Sequence, residues 1–245
     1  NFVVDEVLFG GQRVAAEGRC TLTMARTTLP DFTRSTIVSD MPASAEALQI
    51  PVAGDRTAVR CNVLVSSHPK TLARKDLPVV SGYLRPDVEG DVLALAVVER
   101  YHSSGRIGRG FVSGFGLQRG AVASSTNHNN HHVFALGADY GDMKLALDEL
   151  KRLQGGYVAV LEGRIVASLQ LPVIGMISDL PAEELAGAMA DFERRMVEVL
   201  GCSVAKRPMY ALNFICSPVV MNYGMTDFGL VDSANLKPVP LFPEG

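Results

Sequence analysis

Residues 133–169 read VFALGADYGDMKLALDELKRLQGGYVAVLEGRIVASL, and this run decides the fold class. Val133–Gly137 is short, apolar and strand-like. Asp139 or Asp142 then opens a helix, because Met143, Ala146, Leu147, Leu150 and Leu153 recur at helical spacing. Gly155-Gly156 closes it as C-cap glycines do. Tyr157–Leu161 and Arg164–Leu169 flank Glu162-Gly163 and read as a hairpin.

Working outward, Arg56–Val65 and Asp91–Tyr101 are strand candidates rich in Val, Ala and Leu. From Gly105 to Gly120 the chain is Gly-rich, with the short apolar pieces Phe111-Val112 and Ala121–Ser125 in and after it. A second helix places Pro181 in its first turn and Glu183 and Glu184 at its positive end. Its apolar face is Leu185, Met189, Phe192, Met196 and Leu200, and Gly201 stops it. Met209–Ile215 is apolar without a clear period, and the tail with Pro238, Pro240 and Pro243 is irregular. At the other end, Asn1–Leu8 alternates, Gly10-Gly11 supplies a tight turn and Arg13–Ala16 returns as a second strand. A lone hairpin is marginal in water, so this one is expected to pair with strands from elsewhere. Thr21–Pro51 reads as an extended connection with one helical turn at Ser44–Leu48. Strands and helices mix without a βαβ repeat, which favours α+β, with mixed or antiparallel sheets and a few packing helices.

The 245 residues are 47% hydrophobic and 20% charged, with a net charge of −3, enough apolar content for a substantial core. That balance excludes a disordered chain. The mild acidity and the lack of a Lys/Arg cluster argue against a nucleic-acid partner. Val92–Val98, among the longest apolar runs, stops at Glu99, well short of the roughly 20 residues of a membrane span. Cys20, Cys61, Cys202 and Cys216 lie far apart with no C-x-x-C pair. They read as reduced, mostly buried thiols of a cytosolic protein, and no signal peptide opens the chain.

Motifs that carry chemistry are mostly missing. There is no H-x-E with P-C-x-x-C, no H-x-H, no H-E-x-x-H, no G-x-S-x-G and no G-x-x-x-x-G-K-[ST]. Gly105–Gly110 resembles a phosphate-cradling turn but lacks the strand–loop–helix context. One cluster stands out: Asn127-His128-Asn129-Asn130-His131-His132 after Ser124-Ser125, which holds three of the five histidines. Imidazoles at this spacing suit a ligand-facing loop. Asn and His equally suit a polar surface turn, since both tolerate left-handed backbone. Glu99-Arg100, beside Tyr101-His102, reads as a surface ion pair worth under roughly 1 kcal/mol.

From about Val97 to Val231 the sequence resembles the C-terminal domain of bacterial adenine deaminases, in the amidohydrolase superfamily. The resemblance is carried by Val97-Val98-Glu99-Arg100, Gly110-Phe111-Val112-Ser113-Gly114-Phe115-Gly116-Leu117 and Ala123-Ser124-Ser125, with His128 and His131 at paired positions. Gly155-Gly156, Leu171-Pro172, Gly175, Ser178-Asp179 and Thr226-Asp227-Phe228-Gly229-Leu230 follow in order. Asp5–Gly18 is similar to the last strands of the small β-domain beside an amidohydrolase barrel. Two departures stand out. The family's usual Glu-Arg-His is here Glu99-Arg100-Tyr101-His102, and Asn129 replaces a common Asp. Losing that carboxylate disfavours a metal in this loop.

The resemblance implies three segments: residues 1–25 as the end of the small β-domain, 26–55 as a connection, and 56–245 as the C-terminal domain. It implies hydrolysis of adenine to hypoxanthine and ammonia, with manganese or iron in a barrel preceding Asn1. No catalytic residue and no metal ligand is then expected in these 245 residues, and this chain alone should be inactive. Ser124, Ser125, His128 and His131, with the Gly-rich segment Gly105–Gly120, are the parts expected to face substrate. Adenine, the barrel of the same protein and further copies of it are the implied partners, and cytoplasmic purine salvage the implied setting. The competing reading is a non-catalytic association or gating module, marked by an exposed apolar patch. An independent enzyme is disfavoured because no nucleophile–base pair is visible.

Overall fold

A computed structural model describes residues 3–23, 28–204, 207–219 and 222–243. Two compact units result, Asn1–Pro30 and Asp31–Gly245. In the first, β1 (Glu6–Phe9) and β2 (Gln12–Ala16) form the expected antiparallel hairpin around Gly10-Gly11, both at positive φ. Its third strand, β3 (Arg19–Cys20), comes from the same unit. Asn1 and Phe2, read with the hairpin, lie outside the described residues, as do positions 24–27 of the connection.

The second unit holds β4 (Ala58–Val65), β5 (Thr71–Val80), β6 (Tyr83–Leu84), β7 (Val92–Val98), β8 (Ile107–Ser113), β9 (Ala121–Ser124) and β10 (Val133–Gly137). After these come α1 (Tyr140–Leu153), β11 (Gly156–Leu161), β12 (Arg164–Gln170), α2 (Ala182–Glu198) and α3 (Pro208–Ile215). Three short strands close it: β13 (Tyr223–Thr226), β14 (Gly229–Asp232) and β15 (Lys237–Pro238). Nine strands form one sheet in the order β12-β11-β9-β10-β7-β8-β4-β5-β6. Every pairing is antiparallel except β4 with β8. The class is α+β, as the mixed pattern implies.

β7 explains why the sheet is covered on both faces. Its seven residues are all buried. Val92, Ala94, Ala96 and Val98 point to one core with α1, and Leu93, Leu95 and Val97 to a second with α2 and α3. A strand buried on both faces needs apolar residues at both parities of its period-2 alternation. Ile37, Leu48 and Ile50, from the aperiodic segment before β4, complete the α1 core, and the expected helical turn is a 3-10 turn at Ala45–Leu48. No helix among the described residues is long and apolar enough to cross a membrane.

Asp139 caps α1 by accepting from Asp142 N at 2.9 Å. Asp142, the other candidate start, accepts from Glu162 and Gly163 N and so ties the β11–β12 turn to the helix. The left-handed cap is Gln154 rather than a glycine; its side chain accepts from Ile37 N and donates to Lys151 O. The two glycines after it answer a different demand. A Cβ on Gly155 would lie 2.3 Å from Gly175 Cα, and one on Gly156 1.9 Å from Leu169 O. Pro181 caps α2 from outside the helix, and Leu200 is buried beyond its end.

Four elements escape periodicity. β5 pairs over eight positions with β4, but its Arg74, Lys75 and Asp76 sit on an outer strand beside the two-residue β6. α3 has Met209, Leu212 and Ile215 buried, yet carries Tyr210 and Phe214 as well, so the helical period is hidden. β13 and β14 hold only four residues each. All four cysteines are free and three are buried. Burial raises Cys61 and Cys202 to about 11.

Candidate functional site

Glu99 and Arg100 follow β7 directly, and the structure corrects their reading as a surface ion pair. Both are only 1% exposed, and each finds partners other than the other. One Glu99 oxygen accepts from Tyr101 N and from His102 N at 2.9 Å. The second accepts from Ser39 Oγ (3.1 Å), Ser104 N (3.2 Å) and Ser104 Oγ (3.1 Å). Burial acts to raise this carboxyl, but the bonds from Tyr101, His102 and Ser104 outweigh it and hold the pKa at about 2. Glu99 is therefore a fixed anion that folds the 99–104 bend around itself, which suits positioning rather than proton transfer.

Arg100 is the reverse case. Its Nη2 donates to Ile174 O at 2.9 Å and its guanidinium lies 4.8 Å from the Tyr101 ring centroid. Nε and Nη1 are buried without a hydrogen-bond partner. Such orphans concentrate here: Thr36, Arg100, Asn127, Asn130 and His132 hold seven of the nine found among the described residues. Buried polar atoms left unpaired cost stability, so a cluster of them calls for an explanation beyond packing.

The 125–132 loop joins β9 to β10 beside that cluster. Ser124 and Ser125 are fully buried. Ser124 Oγ lies 2.8 Å from Thr126 Oγ1, which clusters with Tyr157 Oη (2.6 Å) and Asn213 Oδ1 (2.5 Å), and Tyr157 Oη donates to Asn213 Oδ1. Ser125 Oγ donates to Gly175 O and accepts from Gly156 N. Both serines thus anchor the loop from beneath. His128 stands exposed at its tip, edge-on to Phe214 with centroids 4.6 Å apart, and Tyr210 continues the aromatic row along α3. Asn129 and His131 adopt left-handed backbone, and Ser217 Oγ donates to Asn129 Oδ1. His131 is half-buried; burial first, then Arg100 and His128, lowers its pKa below the ordinary histidine value. His132 is lowered by burial too, against the pull of Asp227 and Glu99.

Asp227, in the β13–β14 turn, ties the loop to the small sheet. It accepts from Arg106 Nε at 2.7 Å and lies 3.3 Å from His132 Nε2. Gly108 and Gly110 are buried in β8, close under β13 and β14: a Cβ on Gly108 would sit 1.8 Å from Thr226 O. No group of three His, Cys, Asp or Glu converges as a metal ion requires, among the described residues. The donor set does not fit a metal centre. Tyr210 and Phe214 escape motif reasoning, although Pro208 before an apolar run is a helix-start cue, while Glu99, Arg100 and Asp227 stand in the motifs of the resemblance without being expected at a site.

Residues 70–237 match the model of the adenine deaminase C-terminal domain. The chain belongs to that family. "Adenine deaminase 1" of Carboxydothermus hydrogenoformans is 36% identical over 97% of this chain, covering 39% of that protein. The adenine deaminase of Moorella thermoacetica is 36% identical over 97% of the chain, covering 40% of its own length. That of Dehalococcoides mccartyi (strain 195) is 41% identical over 67% of the chain, covering 28% of that protein. The chain therefore spans about two fifths of the length of the first two of these relatives and 28% of the third.

Proposed function

We propose that this chain serves an enzyme hydrolysing adenine to hypoxanthine and ammonia, whose manganese or iron centre belongs to a barrel outside these residues. Its setting is cytoplasmic purine salvage, in a homo-oligomer. The observation that carries this reading is 36% identity to an adenine deaminase across 97% of the chain. In this reading residues 1–25 end the small β-domain, 26–55 connect, and 56–245 form the domain that borders substrate.

The part played by this chain is binding and orientation. His128 and His131 present imidazoles at the loop surface, while Ser124 and Ser125 hold the loop in place. The lowered pKa of His131 keeps it neutral near neutral pH, so it can donate or accept toward a purine edge without first losing a charge. Phe214 and Tyr210 offer flat apolar faces to a planar base.

The test is steady-state hydrolysis of adenine by the full-length protein carrying His128→Ala or His131→Ala. Each should lower kcat/KM at least about tenfold, the ~1.4 kcal/mol of one net hydrogen bond. Rates equal to wild type return the loop to a polar turn. Turnover by these 245 residues alone would overturn the assignment of the chemistry to the barrel.

A further inference from the structure

The β13–β14 turn, Val219 and the 233–238 segment enclose an open groove of about 740 Å³. Its walls are apolar: Val219 is 70% exposed, Phe228 74% and Leu236 89%, with Val231 and Pro238 between them. Large apolar side chains gathered this openly on one unit mark a covered surface. Both carboxylates of the groove are already engaged, and Lys237 stands exposed at its edge near Asp232. Asp227 is held by Arg106 and His132, and Asp232 accepts from Asn235 N (3.0 Å) and Nδ2 (2.8 Å). The carboxylates therefore offer an occupant little, and the exposed walls of Val219, Phe228 and Leu236 suit an apolar one.

The groove is also preformed. Phe228 packs on the Arg106 guanidinium, 4.6 Å from the ring centroid, and the turn rests on Gly108 with no room for a Cβ. Asn130 lines the groove and belongs to the 125–132 loop. Whatever fills it abuts the candidate site. The relatives devote more than half their length to polypeptide outside this C-terminal domain, which supplies an occupant in the same molecule. We infer that the groove seats an uncharged apolar segment of the polypeptide preceding this domain, and so sets the 125–132 loop against the rest of the enzyme. This rests on the reading that the domain serves a larger adenine-hydrolysing protein.

The test places a photo-crosslinking residue in the full-length protein as Phe228→benzoylphenylalanine and maps the products by mass spectrometry. The expected product is an intramolecular link to the preceding polypeptide, reduced at least about tenfold by Leu236→Asp, which would bury a charge in the groove. Links to a second copy, links confined to this domain, or no link at all each overturn the inference. Adenine turnover is measured on the same sample. An inactive protein that links as expected sinks the functional reading and leaves the docking surface standing.

Discussion

Replacing Glu99 by Gln keeps the shape of the side chain and removes its charge. Five donors converge on that carboxylate, and an amide can satisfy only those facing its oxygen. The NH₂ group would turn toward Ser39 and Ser104, whose hydroxyls can rotate to accept, but Ser104 N–H would be left facing a donor. The folded pKa of about 2 lies below the ordinary 4.5, so ionised Glu99 stabilises the fold fully above 4.5 and loses that contribution as pH falls toward 2. The shift corresponds to about 3 kcal/mol near pH 7. Near pH 3 the unfolded chain is protonated and the folded one is not, and about half of the difference remains. Urea unfolding of wild type and Glu99→Gln at both pH values checks this, with a stability loss of about 3 kcal/mol expected near pH 7 and read as a lower urea midpoint. Equal midpoints near pH 7 would refute the reasoning. So would a loss identical at both pH values, since that would report packing rather than charge.

Lys70 gives a second pH test with the opposite range. Burial lowers its pKa to about 8, with Cys216 opposing, and its Nζ donates to Ser217 O at 2.7 Å. The fold therefore disfavours the charged form, so stability rises as pH climbs from about 8 toward 10.5, and Lys70→Met should lack that rise in paired urea titrations. Gly108→Ala should cost about 1–3 kcal/mol in thermal unfolding, because its Cβ meets backbone at Thr226 and not a yielding side chain. An unchanged Tm would show that the β13–β14 turn is free to move off β8.

The sequence by itself determined the elements whose signal is local. The α1 stripe of Met143, Ala146, Leu147 and Leu150, the β11–β12 hairpin about Glu162-Gly163 and the wholly apolar Val92–Val98 each follow from a period that burial imposes on neighbouring residues. Family membership was legible too, because an ordered set of short motifs over more than a hundred residues is far more specific than any one of them. Tertiary structure decided the rest. A charged outer strand such as β5 owes its form to pairing with β4, sixteen positions away at Arg60–Asp76, and no local period reports that. Glu99 and Arg100 look like any exposed ion pair in sequence, because desolvation depends on what Ser39 and Ile174 bring from distant segments and on how the chain bends back at Ser104. The same holds for the loop: composition brings His128 and His131 together, but only the fold turns Ser124 and Ser125 inward as anchors and stands His128 against Phe214. Spacing records which atoms are near along the chain, and burial is settled by those near in space.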